Sequence, residues 1–159
     1  MKVAILEGLG ISHEELEALE KPFIEEGVEF VEYQKTLDVE ELKKETAGAD
    51  AVIIANMPYP SSVISSCDTL KFIDVAFTGT DHVGLDAARE KGISVSNASG
   101  YSNEAVSELV LGMVLSFMRN ITQVEARCRE GKDKTGLVGC EIKGKTVGII
   151  GLGKIGKRT

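Results

Sequence analysis

Cysteine is scarce in this 159-residue chain: Cys67, Cys128 and Cys140 are the whole set. The number is odd and no two are spaced C-x-x-C, so neither a disulfide framework nor a thiolate metal cluster can be built. That usage suits a reducing, cytoplasmic setting, with Cys67 and Cys128 expected as small, at least half-buried thiols in helices. Histidine is limited to His13 and His82, and neither a Ser-His-Asp nor a metal-ligand constellation is visible. There is no run of 18 apolar residues, so no membrane-spanning helix is expected. The opening Met1–Glu7 is too short and too soon acidic for a signal peptide. Repeats and low-complexity tracts are absent. A basic face is missing as well. The net charge is −7, and residues 1–50 alone carry 14 acidic and 5 basic side chains. Phosphate-backbone binding needs the opposite sign, which excludes nucleic acid as an expected partner.

What the chain does have is an alternation of apolar runs and helical patterns through residue 95. Val3–Leu6 reads as a first strand. Ser12-His13-Glu14-Glu15 is a capping box opening a helix whose buried stripe is Leu16, Leu19 and Phe23, with Pro22 interrupting or restarting it. Val28–Tyr33 is a strand, Asp38 caps a second helix closed by Gly48, and Ala51–Ala55 is a fully apolar strand of the kind a sheet covered on both faces requires. A rigid loop, Asn56-Met57-Pro58-Tyr59-Pro60, follows it. Then come a short helix Ser62–Cys67, strand Leu70–Ala76, helix Leu85–Lys91 and strand Ile93–Val95. Five strands with helical crossovers predict an α/β, flavodoxin-like, doubly wound parallel sheet. In such sheets ligands sit at the carboxyl ends of the strands, here the loops Glu7–Ile11, Asn56–Pro60 and Phe77–Asp81.

The pattern changes after Asn97. Asn103–Met118 is a long helix, apolar on most sides, which needs cover almost all round. Gly112 in its middle costs about 1 kcal/mol against Ala and suggests a close backbone approach. A more polar helix, Ile121–Glu130, and a loop-rich stretch lead to a strand at Thr146–Ile150. That strand runs directly into Gly151-Leu152-Gly153-Lys154-Ile155-Gly156. G-x-G-x-x-G after a strand reads as a phosphate turn. The first glycine permits the tight turn, the second lets a pyrophosphate approach the backbone, and the third lets the coming helix pack close. Lys154 and Ile155 would offer backbone N–H groups at the helix start, where the dipole favours an anion. The plain alternative is a glycine-rich surface segment. Phe77-Thr78-Gly79 ends a strand, where N–H groups can hold a small carboxylate; a plain β–α turn is the other reading. His82 is a weak candidate proton carrier, and His13 a solvated helix residue. Met57, Tyr59 and Phe77 suggest a partly apolar pocket.

From Leu70 to Gly156 the chain resembles the D-isomer-specific 2-hydroxyacid dehydrogenases. The resemblance rests on Leu70-Lys71-Phe72-Ile73, Thr78-Gly79-Thr80-Asp81 leading to Leu85–Ala88, Gly92–Asn97, Tyr101–Glu108 and Gly144–Gly156. Residues 1–69 fit only in architecture. The resemblance implies a substrate domain over about residues 1–100 and the start of a Rossmann-type nucleotide domain from 101 to 159. It also implies reversible hydride transfer between NAD (NADP not excluded) and a 2-hydroxy acid. Backbone N–H groups at Thr78 and Gly79 would hold the substrate carboxylate, Asn56–Pro60 would shape the pocket roof, and Tyr101 and Val106 would lie near the nicotinamide and the domain junction. Three departures stand out: Phe77 where the family often has Gly, Gly84 where it often has Asp, and Ser107 in place of a usual Ala.

In that family the Arg, Glu and His of the chemistry lie beyond the glycine motif, so no catalytic residue is expected among residues 1–159. The chain is expected to be the front part of a larger enzyme, inactive alone, acting on a small 2-hydroxy or 2-oxo acid and forming a homodimer through the helix at 103–118. The alternative is a truncated, non-catalytic binding or dimerisation module of the same fold. A receiver-type signalling domain shares the outline but needs an Asp where Ala51–Ala55 runs into Asn56-Met57-Pro58.

Overall fold

The computed structural model describes residues 1–159, and the chain divides into two compact units, Met1–Ser99 and Gly100–Thr159.

The first unit alternates strand and helix: β1 (Lys2–Ile5), α1 (His13–Glu25), β2 (Glu29–Glu32), α2 (Val39–Thr46), β3 (Ala51–Ile54), α3 (Ser61–Ser66), β4 (Phe72–Val75), α4 (Leu85–Glu90) and β5 (Ser94–Asn97). All strand pairs are parallel and the sheet order is β2-β1-β3-β4-β5. This is the flavodoxin-like order, with its switch of winding direction at β1 and β3. Local chemistry starts the helices as expected. Ser12 and Glu15 form a reciprocal capping box on α1, and the Asp38 carboxylate accepts from the Glu40 and Glu41 N–H groups on α2.

Side chains alternate across the strands, and the two faces fare differently. Ala4, Leu6, Val52, Ile54, Ile73 and Val75 point into a core closed by Leu42, Val63, Ile64, Ala87 and Ala88 of α2, α3 and α4, which pack on one another. Each large member contributes roughly 1.5–3 kcal/mol by leaving water. The other face carries α1 and the loop that precedes it, with Leu9 and Ile11. There Ile53 and Asp74 stay half-buried and Phe72 is exposed, so the two-sided cover expected of β3 is incomplete. The α1 stripe is also less buried than its spacing predicts: Leu16 is half-buried, while Leu19 and Phe23 are 62% and 53% exposed. They line an apolar groove of about 200 Å³ with Ile5, Phe30 and Ile53. Pro22 lies inside α1 and does not end it. Only one backbone donor is lost there, and the last turn still closes through Glu26 N–H to Phe23 O and Gly27 N–H to Ile24 O.

The second unit holds α5 (Asn103–Met118), α6 (Ile121–Arg129) and α7 (Lys154–Arg158). No single helix is long and apolar enough to cross a membrane. On α5, Val106, Ser107, Val110 and Val114 form the inner stripe, while Leu109, Leu111, Met113, Leu115 and Phe117 are exposed, Phe117 at 83%. Gly112 faces open space, not a neighbouring backbone. Cys128 is exposed, unlike Cys67, which is buried. The segment Thr146–Ile150, expected as a strand, forms none and pairs with no other segment of the sheet. A strand's N–H and C=O groups need a partner edge, and this unit contains no other strand.

Candidate functional site

The carboxyl ends of β1, β3 and β4 carry three loops joined by hydrogen bonds. The first link is a buried carboxylate. Glu7, 4% exposed, follows β1 and aims Oε1 at the loop after β3. There it accepts from the backbone N–H groups of Ala55, Asn56 and Met57 at 2.8, 2.8 and 2.7 Å. Its other oxygen takes Lys35 Nζ at 2.9 Å, and the same ammonium donates to Asn56 Oδ1 at 3.1 Å. Burial pushes the Glu7 carboxyl up. Lys35 and the Met57 and Ala55 N–H groups more than offset that, holding it below the usual carboxylate range.

The loop is tied in turn to the segment after β4. Tyr59 N–H donates to His82 O at 2.8 Å and Gly84 N–H to Tyr59 O at 2.9 Å, a one-residue parallel bridge centred on Tyr59 and Val83. Between them lies the turn Phe77-Thr78-Gly79. Its orientation is set from β5, because Asn97 Nδ2 donates to Thr78 O at 2.7 Å. No peptide bond in the chain is cis, so the Gly79 N–H, on the same peptide plane as the Thr78 carbonyl, points the opposite way. A Cβ on Gly79 would meet nothing within 4 Å. The turn thus holds one peptide in a fixed orientation with room beside the Gly79 Cα, and backbone donors at such a turn can receive an anionic oxygen.

The expected pocket residues divide. Phe77 is exposed and Thr78 and Gly79 are half-buried on the turn. Met57 and Tyr59 do not line a pocket with their side chains. Both are fully buried in the core, and the Tyr59 hydroxyl is within hydrogen-bond distance of Thr46 Oγ1 at 3.2 Å. The cavity beside Glu7, about 190 Å³, is also lined by Glu32, and two carboxylates make it unsuited to an acid. His82 engages Tyr59 through its carbonyl, not its ring. No group of three or more His, Cys, Asp or Glu could hold a metal.

In the second unit Tyr101 is 66% exposed just before α5, and Val106 is half-buried on it. Gly151, Gly153, Lys154, Ile155 and Gly156 lie together in the turn that opens α7. Gly151 has φ +112°, a conformation L side chains rarely adopt. Gly153 is the N-cap of α7, with open space where a Cβ would be. A Cβ on Gly156 would collide with the Gly151 carbonyl oxygen and touch Ile149. The three glycines thus provide a left-handed turn, an open side and a close approach. A cavity of about 560 Å³ runs beside the turn, lined by Val110, Val114, Val147 and Ile155.

Residue-type reasoning missed Glu7, Lys35 and Asn97. The available signal for Glu7 was a carboxylate placed directly after the apolar run Val3–Leu6, where a strand ends at a ligand-binding edge. Nothing in the spacing linked it to Lys35, 28 residues on.

The family described as "D-isomer specific 2-hydroxyacid dehydrogenase, catalytic domain" matches residues 3–147. The chain is 39% identical over 130 residues to D-3-phosphoglycerate dehydrogenase of Methanocaldococcus jannaschii, covering 80% of this chain and 25% of that protein. It is 36% identical over 123 residues to hydroxypyruvate reductase of Thermotoga maritima, covering 76% and 40%. Among solved structures it superposes on the NAD-dependent formate dehydrogenase of Staphylococcus aureus in complex with NAD. The TM-score is 0.82 at 28% identity, over 99% of this chain and 51% of that one. The chain thus spans about a quarter of the first of these relatives and about half of the solved enzyme.

Proposed function

This chain belongs to the D-isomer-specific 2-hydroxyacid dehydrogenase family, and from that premise we propose that it supplies the acid-binding unit of an NAD-dependent oxidoreductase interconverting a D-2-hydroxy acid and a 2-oxo acid. The observation that carries this reading is the Gly79 peptide. Asn97 holds the Thr78 carbonyl at 2.7 Å, which turns the Gly79 N–H to the opposite side of the peptide, and a Cβ on Gly79 would meet nothing within 4 Å. In the proposal that N–H receives the substrate carboxylate, with Thr78 in the same turn. Phe77 narrows the site toward small acids.

The second unit fits the phosphate part of a dinucleotide. The Gly151 and Gly153 backbone and the N–H groups of Lys154 and Ile155 would hold it, since Gly153 leaves room and Gly156 seats the helix. A bound nicotinamide would supply the hydride; this chain's residues would bind and orient. The cofactor in this proposal is NAD, with NADP not excluded: the formate dehydrogenase relative holds NAD and an acyclic imino acid reductase of similar fold holds NADPH. The exposed apolar side of α5, with Leu109, Met113 and Phe117, supports a homodimer through the helix at 103–118. A cytoplasmic location is part of the same proposal.

The test is an amide NMR titration of the ¹⁵N-labelled chain with pyruvate, and with hydroxyacetone as a ketone lacking the carboxylate. The expected result is saturable movement of the Gly79 and Thr80 signals with pyruvate alone. Equal responses to both, or none at Gly79, overturn the carboxylate reading. In NADH oxidation with pyruvate or glyoxylate the chain by itself is expected to be inactive. Turnover sensitive to mutation within residues 1–159 would contradict that.

A further inference from the structure

Three successive backbone N–H groups, of Ala55, Asn56 and Met57, converge on one point at the carboxyl end of β3. Such a run of convergent amides is an anion-binding concavity, and at a ligand-binding sheet edge it would compete for an incoming carboxylate. In this chain it is already filled. The occupant is Glu7 Oε1, delivered from the neighbouring strand, with Lys35 neutralising the second oxygen and bonding Asn56 across it. Glu7 is buried, while Lys35 is half-exposed.

We propose that Glu7 is an internal anion plug and a positioning residue: it closes the nest at Ala55–Met57 to outside anions and fixes the β3–α3 loop against the Thr78–Gly79 turn. The mechanical link is the bridge at Tyr59. The same loop carries Tyr59, whose N–H and C=O bond His82 and Gly84 just beyond the turn. Releasing the loop from β1 therefore frees the bridge that borders the turn. The part of this inference that concerns a substrate rests on the function proposed above; the plug itself does not.

The plug predicts chemical rescue, which an ordinary packing role would not give. Glu7→Ala leaves a carboxylate-sized gap lined by three donors and beside Lys35. In amide hydrogen exchange of the full 159-residue chain, Ala55, Asn56 and Met57 should exchange at least tenfold faster in Glu7→Ala. Amides of β1 and β4 should keep their protection. Formate at tens of millimolar should restore the three amides in the variant and leave the parent chain unchanged. Unchanged exchange, failure of formate to rescue, or loss of protection across the whole sheet each overturns the proposal. If Glu7→Ala does not fold, Glu7→Gln decides. It keeps one acceptor and loses the charge facing Lys35, and exchange faster by a few-fold at the same three amides is expected; parent-like exchange overturns the plug. Pyruvate titration of the parent chain reads the functional proposal separately. No response at Gly79 there would sink that reading while leaving the exchange result to judge Glu7.

Discussion

Gly84 stands against the first residue of α3: a Cβ built on it would lie 2.5 Å from both the Ser61 backbone nitrogen and Ser61 Oγ, and 2.7 Å from Ser61 Cα. Rotating the serine side chain clears only one of these contacts. The absence of a side chain here is what allows α3 and the N-terminus of α4 to meet, with Gly84 N–H bonded to Tyr59 O. It also accounts for the lack of a side-chain cap on α4, at a position where the family often places Asp. Gly84→Ala should destabilise the first unit by about 1–3 kcal/mol through overpacking. Gly84→Asp should do no better, because its carboxylate cannot be seated without the same Cβ. Thermal unfolding of the two variants checks this, and parent-like midpoints would contradict it.

Gly112 presents the opposite case. Nothing lies within 4 Å of its virtual Cβ, and it sits mid-helix in α5. Gly112→Ala should therefore stabilise α5 by about 0.5–1 kcal/mol, the ordinary helix cost of glycine. An increase in the unfolding temperature of the second unit is expected. The proposed dimer contact is carried by the Leu109, Met113 and Phe117 side of α5; a decrease would mean that Gly112 is itself covered in solution.

Glu20 is buried on α1 with Oε1 unpartnered. Burial raises its pKa above the usual carboxylate range and the charge of Glu32 adds to this; His13 opposes it, and Glu17 contributes in the same sense as Glu32. For a carboxyl whose folded pKa is raised, the native state holds its proton longer than the unfolded chain does. Stability then falls as pH rises from the unfolded pKa through the folded one. Glu20→Gln removes that loss. The variant should melt higher than the parent at pH 7, and the gap should close near pH 4, where both forms are neutral. Glu7 works in the other direction. Its pKa is lowered, so its contribution is present above the unfolded value and is lost as pH falls through the folded one. Melting curves from pH 3 to 8 separate the two.

Tyr59 is fully buried, and its hydroxyl meets only Thr46 Oγ1. Burial raises its pKa, more than the Thr46 hydrogen bond lowers it. Tyr59→Phe should cost about 0.5–1.5 kcal/mol, the net worth of the lost hydrogen bond. Tyr59→Ala should cost several times more through the cavity it leaves. Urea unfolding of both variants measures the ratio; equal effects would contradict the assignment of Tyr59 to the core.

Much of this architecture was legible in the residues. The capping boxes and apolar runs fixed the order of elements, because caps and strand cores are local chemistry. The glycine turn was legible for the same reason, since each glycine answers a backbone demand within six residues. What the residues did not disclose depends on distant packing. Met57 and Tyr59 look like pocket lining beside two prolines, but their direction is set by the core under α2 and α3. The Leu19–Phe23 stripe has helical spacing, yet spacing cannot say whether a surface exists to cover it. The Glu7–Lys35 pair joins loops 28 residues apart, and a lone carboxylate after a strand carries no mark of its partner. Thr146–Ile150 has strand composition without a neighbour to pair with.

The account stands most directly on the Gly79 N–H as the receiver of a carboxylate. Pyruvate affinity should be compared between the parent chain, Gly79→Ala and Gly79→Pro, with unfolding temperature measured alongside. Gly79→Ala places its methyl in open space and should leave stability within about 0.5 kcal/mol of the parent. Gly79→Pro removes the donor itself and should lower pyruvate affinity at least tenfold in a protein that still unfolds cooperatively. If a folded Gly79→Pro chain binds pyruvate as the parent does, the carboxylate is held elsewhere and the account is wrong.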